Sequence, residues 1–225
     1  QRQMCIRDRP KPKTLPMMEV IVTHFKPFFL GMLICIAGYV LFYIMIAFSQ
    51  IYAKSAPIIS EAGYVMGLGF SPQIFTALLM FSSVSLAITI TISGKYIDKV
   101  GRRIWLIWTT VGVALFGLAL PYFLKNGTTV SLFWFLITGM GLIGMGYGPL
   151  SSFLPELFPT HVRYTGSSLT YNIAGLFGAS VAAIIALPLN ANYGLKGVGI
   201  YLTLNAILSL IGLWFIEETR DRQLL

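Results

Sequence analysis

The chain has very little charge. Asp, Glu, Lys and Arg make up 11% of its 225 residues, against about 25% in an ordinary soluble domain. So few charges cannot cover a surface facing water, which excludes a soluble globule. Cysteine is equally scarce. Cys5 lies in a polar leader and Cys35 in an apolar run, so there is neither a disulfide framework nor a metal-ligand spacing. The two histidines, His24 and His161, both fall outside the apolar runs. Without a histidine at membrane depth to act as base, Gly166-Ser167-Ser168 does not mark an intramembrane serine hydrolase. The first residue is Gln1 rather than Met, and residues 1–9 hold three arginines and an aspartate without the apolar run of a signal peptide. Those nine residues are set aside as non-native sequence or the end of a cut loop, and the natural chain is expected to begin upstream.

What the chain does have is apolar length. It is 56% hydrophobic, with a mean hydropathy of +0.77. A helix crosses a bilayer core with about 20 apolar residues. Six stretches without a single Asp, Glu, Lys, Arg or His meet that length: 28–53, 71–94, 104–124, 131–155, 164–190 and 197–216. The expected fold class is therefore an all-α membrane protein, a bundle of six transmembrane helices over 28–217. A leader, residues 1–27, precedes it and a short tail, 218–225, follows. Pro57, Gly63, Gly67, Gly69 and Pro72 punctuate the first connector. Asn126-Gly127 predicts a turn after the third span, and Asn190, Asn192 and Gly194 predict a break after the fifth.

Charge distribution orients the bundle. Counting Lys and Arg by side gives thirteen on the face of the leader, the second-to-third connector, the fourth-to-fifth connector and the tail. The other face has three: Lys54, Lys125 and Lys196. Without Arg2, Arg7 and Arg9 the balance is still ten to three. The positive-inside rule then places both termini in the cytoplasm. The net charge of +8 needs no nucleic-acid partner on this reading. The partner is the lipid bilayer.

Small residues recur within the spans. Gly144 and Gly148 form a G-x-x-x-G pair, and Gly175, Ala179, Ala182, Ala183 and Ala186 cluster in the fifth span. Such residues let helices approach closely in lipid. Gly139, Gly141 and Gly144 also spell G-x-G-x-x-G. The run lies inside a span with no preceding strand, so it is not a dinucleotide fingerprint. Asn126-Gly127-Thr128 is a glycosylation sequon that matters only in a eukaryotic secretory pathway.

The most specific motif is Gly94-Lys-Tyr-Ile-Asp98-Lys-Val-Gly101-Arg102-Arg103, G-x-x-x-D-x-x-G-R-R, on the basic side between two spans. Gly94 and Gly101 would permit a tight reversal, and Asp98 could meet an arginine. An ordinary positive-inside turn accounts for the arginines, but not for the spacing of Asp98 and the glycines. The segment resembles the signature loop of the major facilitator superfamily, in the copy carried by the C-terminal half. A second segment, Pro155-Glu156-Leu-Phe-Pro159-Thr-His-Val-Arg163-Tyr-Thr-Gly166, is similar to the loop after the tenth helix in the metabolite:proton symporter family. Phe42-Tyr43 and Tyr171-Asn172 look similar to that family as well. The resemblance covers Pro16 to the end.

It implies a fold of two six-helix halves, of which this chain supplies helices seven to twelve and lacks the N-terminal half. It also implies a gating charge cluster of Gly94, Asp98, Gly101, Arg102, Arg103, Glu156 and Arg163 on the cytoplasmic side. The implied activity is secondary transport in a bacterial inner membrane: symport of a small organic acid or zwitterionic metabolite by alternating access. Such a protein is not an enzyme, and it uses a proton gradient instead of a cofactor.

The spans themselves carry no titratable acid or base, although proton coupling needs one at membrane depth. The coupling acid is therefore expected in the absent half; otherwise the protein is a uniporter or exchanger. A six-helix receptor or scaffold is the alternative from another class, and no filter-like loop or charged ring suggests a channel. What this half can offer a substrate is neutral. Tyr39, Tyr43 and Gln50 on the first span, Tyr147 on the fourth, and Tyr171 and Asn172 on the fifth are the cavity candidates. Tyr39, Tyr43 and Gln50, at i, i+4 and i+11, are expected on one helix face. Interhelical hydrogen bonding is the competing role for each, and serines such as Ser82, Ser83 and Ser85 readily bond their own helix.

Overall fold

The computed structural model describes residues 15–216. Cys5, Arg2, Arg7, Arg9 and the tail from 218 onward lie outside the described residues. A short helix α1 (Pro16–Thr23) leads into the first span, which comprises α2 (Phe25–Tyr43), a π-helical turn (Ile44–Phe48) and α3 (Ser49–Lys54). Then come α4 (Pro72–Val100), α5 (Arg102–Leu124), α6 (Thr129–Glu156), α7 (Arg163–Gly175), a second π turn (Leu176–Ser180) and α8 (Val181–Phe215).

Local chemistry sets several of these boundaries. Ser71 caps α4, its hydroxyl accepting from the Ile74 amide at 3.4 Å, with Pro72 in the first turn, where a missing N–H costs nothing. Thr128 caps α6 by accepting from Ser131. After α3, the backbone amides of Leu68, Gly69 and Phe70 return to the carbonyls of Tyr52, Ser55 and Ala53. The long first connector thereby satisfies acceptors that the helix end leaves open. It can lie this close because Gly67 has no side chain: a Cβ there would be 2.3 Å from the Ser55 carbonyl oxygen.

From Arg163 to Phe215 the helix is nominally continuous, 53 residues long. At about 1.5 Å per residue that is about 80 Å, far beyond one bilayer core of about 30 Å. Gly194 breaks it, with φ 66° and ψ −167°. A Cβ on Gly197 would lie 3.1 Å from the Leu189 carbonyl oxygen, whereas eight residues of straight helix would separate them by about 12 Å. The chain therefore reverses at Gly194, and 163–193 and 195–215 are separate crossings. The described residues cross six times, in an all-α bundle without a named strand.

Two expectations about breaks change. Asn190 and Asn192 are helical, and Asn190 is fully buried, so Gly194 alone makes the reversal. Gly94 sits within α4, and Gly101, at φ 100°, is where α4 ends. A helix tolerates an interior glycine at about 1 kcal/mol, whereas positive φ strongly favours glycine.

The core forms around the first span. Val40, Ile44, Met45 and Phe48 are fully buried against α5, α6 and the helices after the second π turn. The glycine series of α6 is a packing surface. A Cβ on Gly144 or Gly148 would meet Thr89 Oγ1 or Ser93 Oγ of α4 at 2.1 and 2.2 Å, and one on Gly139 would meet Met45 Sδ at 2.3 Å. The G-x-G-x-x-G string is thus explained by close helix approach. Ser85 donates across the same interface to the Ile137 carbonyl at 3.1 Å, whereas Ser82 and Ser83 bond within α4.

Candidate functional site

Two groups of side chains carry chemistry. The first is at the basic end. Gly101 turns the chain so that Arg102 starts α5 beside the end of α6. There Arg102 pairs with Glu156 and, at 3.5 Å, with Asp98, four residues earlier across the Gly101 corner. The environments differ sharply. Arg102 and Glu156 are 19% and 14% exposed, Asp98 73%. The Arg102–Glu156 pair is thus shielded and ties the α4–α5 corner to α6. Glu156 Oε2 is buried and has no hydrogen-bond partner among the described residues. Arg103 points elsewhere: its Nε and a terminal nitrogen donate to the carbonyls of Leu213 and Trp214 at 2.8 and 3.0 Å, fastening the end of α8. A cation over the last carbonyls of a helix is a favourable cap. Arg163 folds back onto its own turn, reaching the Phe158 carbonyl at 3.5 Å and Thr160 Oγ1 at 3.4 Å. Of the seven residues of the expected charge cluster, the structure brings together Asp98, Arg102 and Glu156, with Gly101 as hinge.

The second group is a tyrosine cluster at membrane depth. Tyr39 of α2 and Tyr171 of α7 lie ring to ring at 5.0 Å, and Tyr147 of α6 lines the same cavity as Tyr171. Glycines make room: a Cβ on Gly175 would be 3.1 Å from the Tyr39 ring. Tyr147 and Tyr171 line a cavity of about 340 Å³ between α6 and α7, together with Ser151, Tyr164, Ser167, Ser168 and apolar residues. This cavity contains hydroxyls and no charge. It runs toward the basic end, where Pro155 lines it next to Glu156.

The remaining candidates lie apart. The Tyr43 hydroxyl donates to the Ala183 carbonyl at 3.4 Å, bridging the first and fifth spans. Asn172 is exposed and donates to the Ser168 carbonyl of its own helix. Gln50 is exposed beyond the π turn, which adds roughly one residue to the helical register between Tyr43 and Gln50. The expected shared face with Tyr39 and Tyr43 presumed unbroken α-helix. Ser151 and Ser167 were not singled out as cavity residues. The signal was present: each lies four residues from a cavity tyrosine, Tyr147 or Tyr171, on the same helix face. Both hydroxyls bond their own backbones, to Gly148 and Arg163.

Residues 39–225 match the family of sugar (and other) transporters. The chain is 84% identical over 217 residues to a Haemophilus influenzae protein provisionally named for metabolite transport, covering 96% of this chain and 48% of that one. It is 38% identical over 215 residues to the inner membrane metabolite transport protein YhjE of Escherichia coli, covering 95% and 47%. It is 24% identical over 221 residues to a proline/betaine transporter of Salmonella typhimurium, covering 97% and 41%. The chain thus spans about half the length of these relatives. No solved structure matches it. Six apolar crossings, the G-x-x-x-D-x-x-G-R-R corner seated on Glu156, and the match over most of its length show that this multi-pass membrane chain belongs to the sugar (and other) transporter family of the major facilitator superfamily, a family of membrane transporters and not of enzymes.

Proposed function

We propose that the chain is one six-helix half of a proton-coupled carrier for a small organic acid or zwitterion, working by alternating access in a bacterial inner membrane with both described ends in the cytoplasm. The observation that carries this reading is the uncharged cavity of Tyr147, Tyr171 and neighbouring serines, backed by Tyr39 and opening toward a shielded ion pair. A mostly apolar wall with a few hydroxyls suits a compact solute whose charge is met elsewhere. The names of an inner membrane metabolite transporter and of proline/betaine transporters among the relatives support the compartment and the substrate class. The ten-to-three charge bias supports the orientation.

On this reading the other half completes the cavity and supplies the titratable acid, since none of the six apolar stretches has one. Tyr39, Tyr147 and Tyr171 contact the solute, with Tyr43, Gln50 and Asn172 at the edges of the path. Arg102–Glu156 holds the basic ends together in one state and releases when the halves rock. A mostly shielded pair has the strength for such a latch, because stripping a buried charge of its partner costs about 3–5 kcal/mol.

The test is uptake of labelled metabolites by the complete protein in cells, with and without an uncoupler. Uncoupler-sensitive uptake that falls at least tenfold in Tyr171→Phe supports the reading. Uptake indifferent to the uncoupler overturns proton coupling and leaves an exchanger of the same fold. Full uptake in Tyr171→Phe removes the tyrosine cavity from the path.

A further inference from the structure

A third cluster lies outside both groups, on the same face as the basic corner. Glu19 of α1, His24 at the α1–α2 corner and His161 in the loop between α6 and α7 come together, although Glu19 and His161 are 142 residues apart. Glu19 Oε1 and His161 Nε2 are 2.7 Å apart. The His24 and His161 rings meet edge to face at 6.4 Å between centroids. One ligand atom from each of the three residues lies within 4.8 Å of the other two.

We propose that Glu19, His24 and His161 form a binding site for a zinc-class divalent cation, which ties α1 to the α6–α7 loop. Two imidazole nitrogens and one carboxylate oxygen are a donor set for zinc and its neighbours, and leave a fourth position for water. Calcium and magnesium want all-oxygen shells and are excluded by it. Bonds of about 2.1 Å in a tetrahedron put ligand atoms roughly 3.4 Å apart. The cluster thus needs to close by at most about 1.4 Å at its widest separation, while the 2.7 Å Glu19–His161 contact opens by about 0.7 Å to admit the ion.

The frame suits that closure. Val20, next to Glu19, is fully buried in the apolar cluster that includes Leu157, Phe158 and Val162, which pins α1 against the loop. His24 is set by the corner itself, its amide donating to the Val20 carbonyl and its carbonyl accepting from Phe28. Glu19 is 22% exposed and half-buried, whereas His161 is 60% exposed. Glu19 is therefore held by α1 and His24 by the corner, while the exposed His161 side chain, paired with Glu19, has room to turn onto the ion. A simple ion pair would need only Glu19 and His161. The third donor at the corner is what points to a metal. His161 lies five residues beyond Glu156, so a bound ion would stiffen the segment leading from the shielded pair into α7.

The experiment titrates zinc into the purified complete protein in detergent against a chromophoric chelator, and in parallel follows the visible absorption of added cobalt. Wild type is compared with His161→Ala, His24→Ala and Glu19→Gln, the last keeping the shape and a hydrogen bond to His161. Loss of a direct ligand should weaken zinc at least as much as the about 10–100-fold known for outer-shell changes. The cobalt bands should vanish with it, while excess magnesium changes nothing. Should an alanine variant fail to fold, Glu19→Gln decides on the same two readouts. Equal zinc affinity in wild type and variants, or no saturable binding at micromolar zinc, overturns the proposal. The readout is binding and not transport, so it stands or falls independently of the carrier reading.

Discussion

The first span and α4 differ little in hydropathy and greatly in surroundings. In the most apolar 18 residues of each, 61% are buried in the first span and 11% in α4. In water such a contrast would separate a core helix from a surface one, and sequence would report it through amphipathicity. In lipid both helices are apolar all round, because bilayer and protein interior reward the same side chains. What distinguishes them is whether neighbours approach. The first span is packed chiefly by α8, α7 and the second π turn, with α6 and α5 beyond. α4 rests chiefly on α6 through the Gly141, Gly144 and Gly148 stripe, and turns Met80, Phe81, Val84 and Ile88 outward. Hydropathy therefore marks a crossing, and small residues mark a contact.

The contrast between enclosed and open positions can be broken experimentally, and it extends to the charges. The largest effects are expected at the shielded pair and in the fully buried core of the first span. Glu156→Ala should lower the stability of the detergent-solubilised protein by about 3 kcal/mol, the low end for a broken buried pair because Arg102 keeps Asp98. Unfolding by graded denaturant, monitored by circular dichroism, reads it. Phe48→Ala, at a fully buried site in the first span, should cost about 3 kcal/mol through the cavity it leaves. Phe81→Ala, 69% exposed on α4, should stay within about 0.5 kcal/mol. Equal losses in these two would end the comparison. Gly144→Leu should cost about 1–3 kcal/mol or more, because Thr89 and the Leu86 carbonyl occupy the space a side chain needs. The matched change at Gly94, where a Cβ meets nothing within 4 Å, should be neutral or slightly stabilising, since helical glycine is costly. The smallest effect belongs to Asp98→Asn. Its carboxylate is 73% exposed, and an open pair contributes about 0–1 kcal/mol. A loss at Asp98 as large as at Glu156 would show that exposure does not rank these charges.

Much of the site was legible one residue at a time. Asp98, Arg102 and Glu156 stood out because each sits in a motif on a basic connector, where charge is unusual for this chain. Tyr39, Tyr147 and Tyr171 stood out as polar groups at membrane depth. Their grouping could not be read from spacing, because it depends on how three distant helices pack. The π turn between Tyr43 and Gln50 was also hidden. Apolar runs have no polar face whose phase would reveal a change of register, so Ile44–Phe48 reads as any other helix. Arg103 and Arg163 illustrate the same limit. Both share motifs with the pair residues, yet one caps α8 and the other closes its own turn.

By itself the sequence determined that this chain lies in lipid as six crossings, because helix length and the cost of burying charge act on each segment independently of its neighbours. Only the tertiary structure decided which acid holds Arg102, which tyrosines share a cavity, and that Glu19, His24 and His161 meet. Those outcomes depend on the distances between helices, and glycine-lined contacts set such distances in ways that no single segment records.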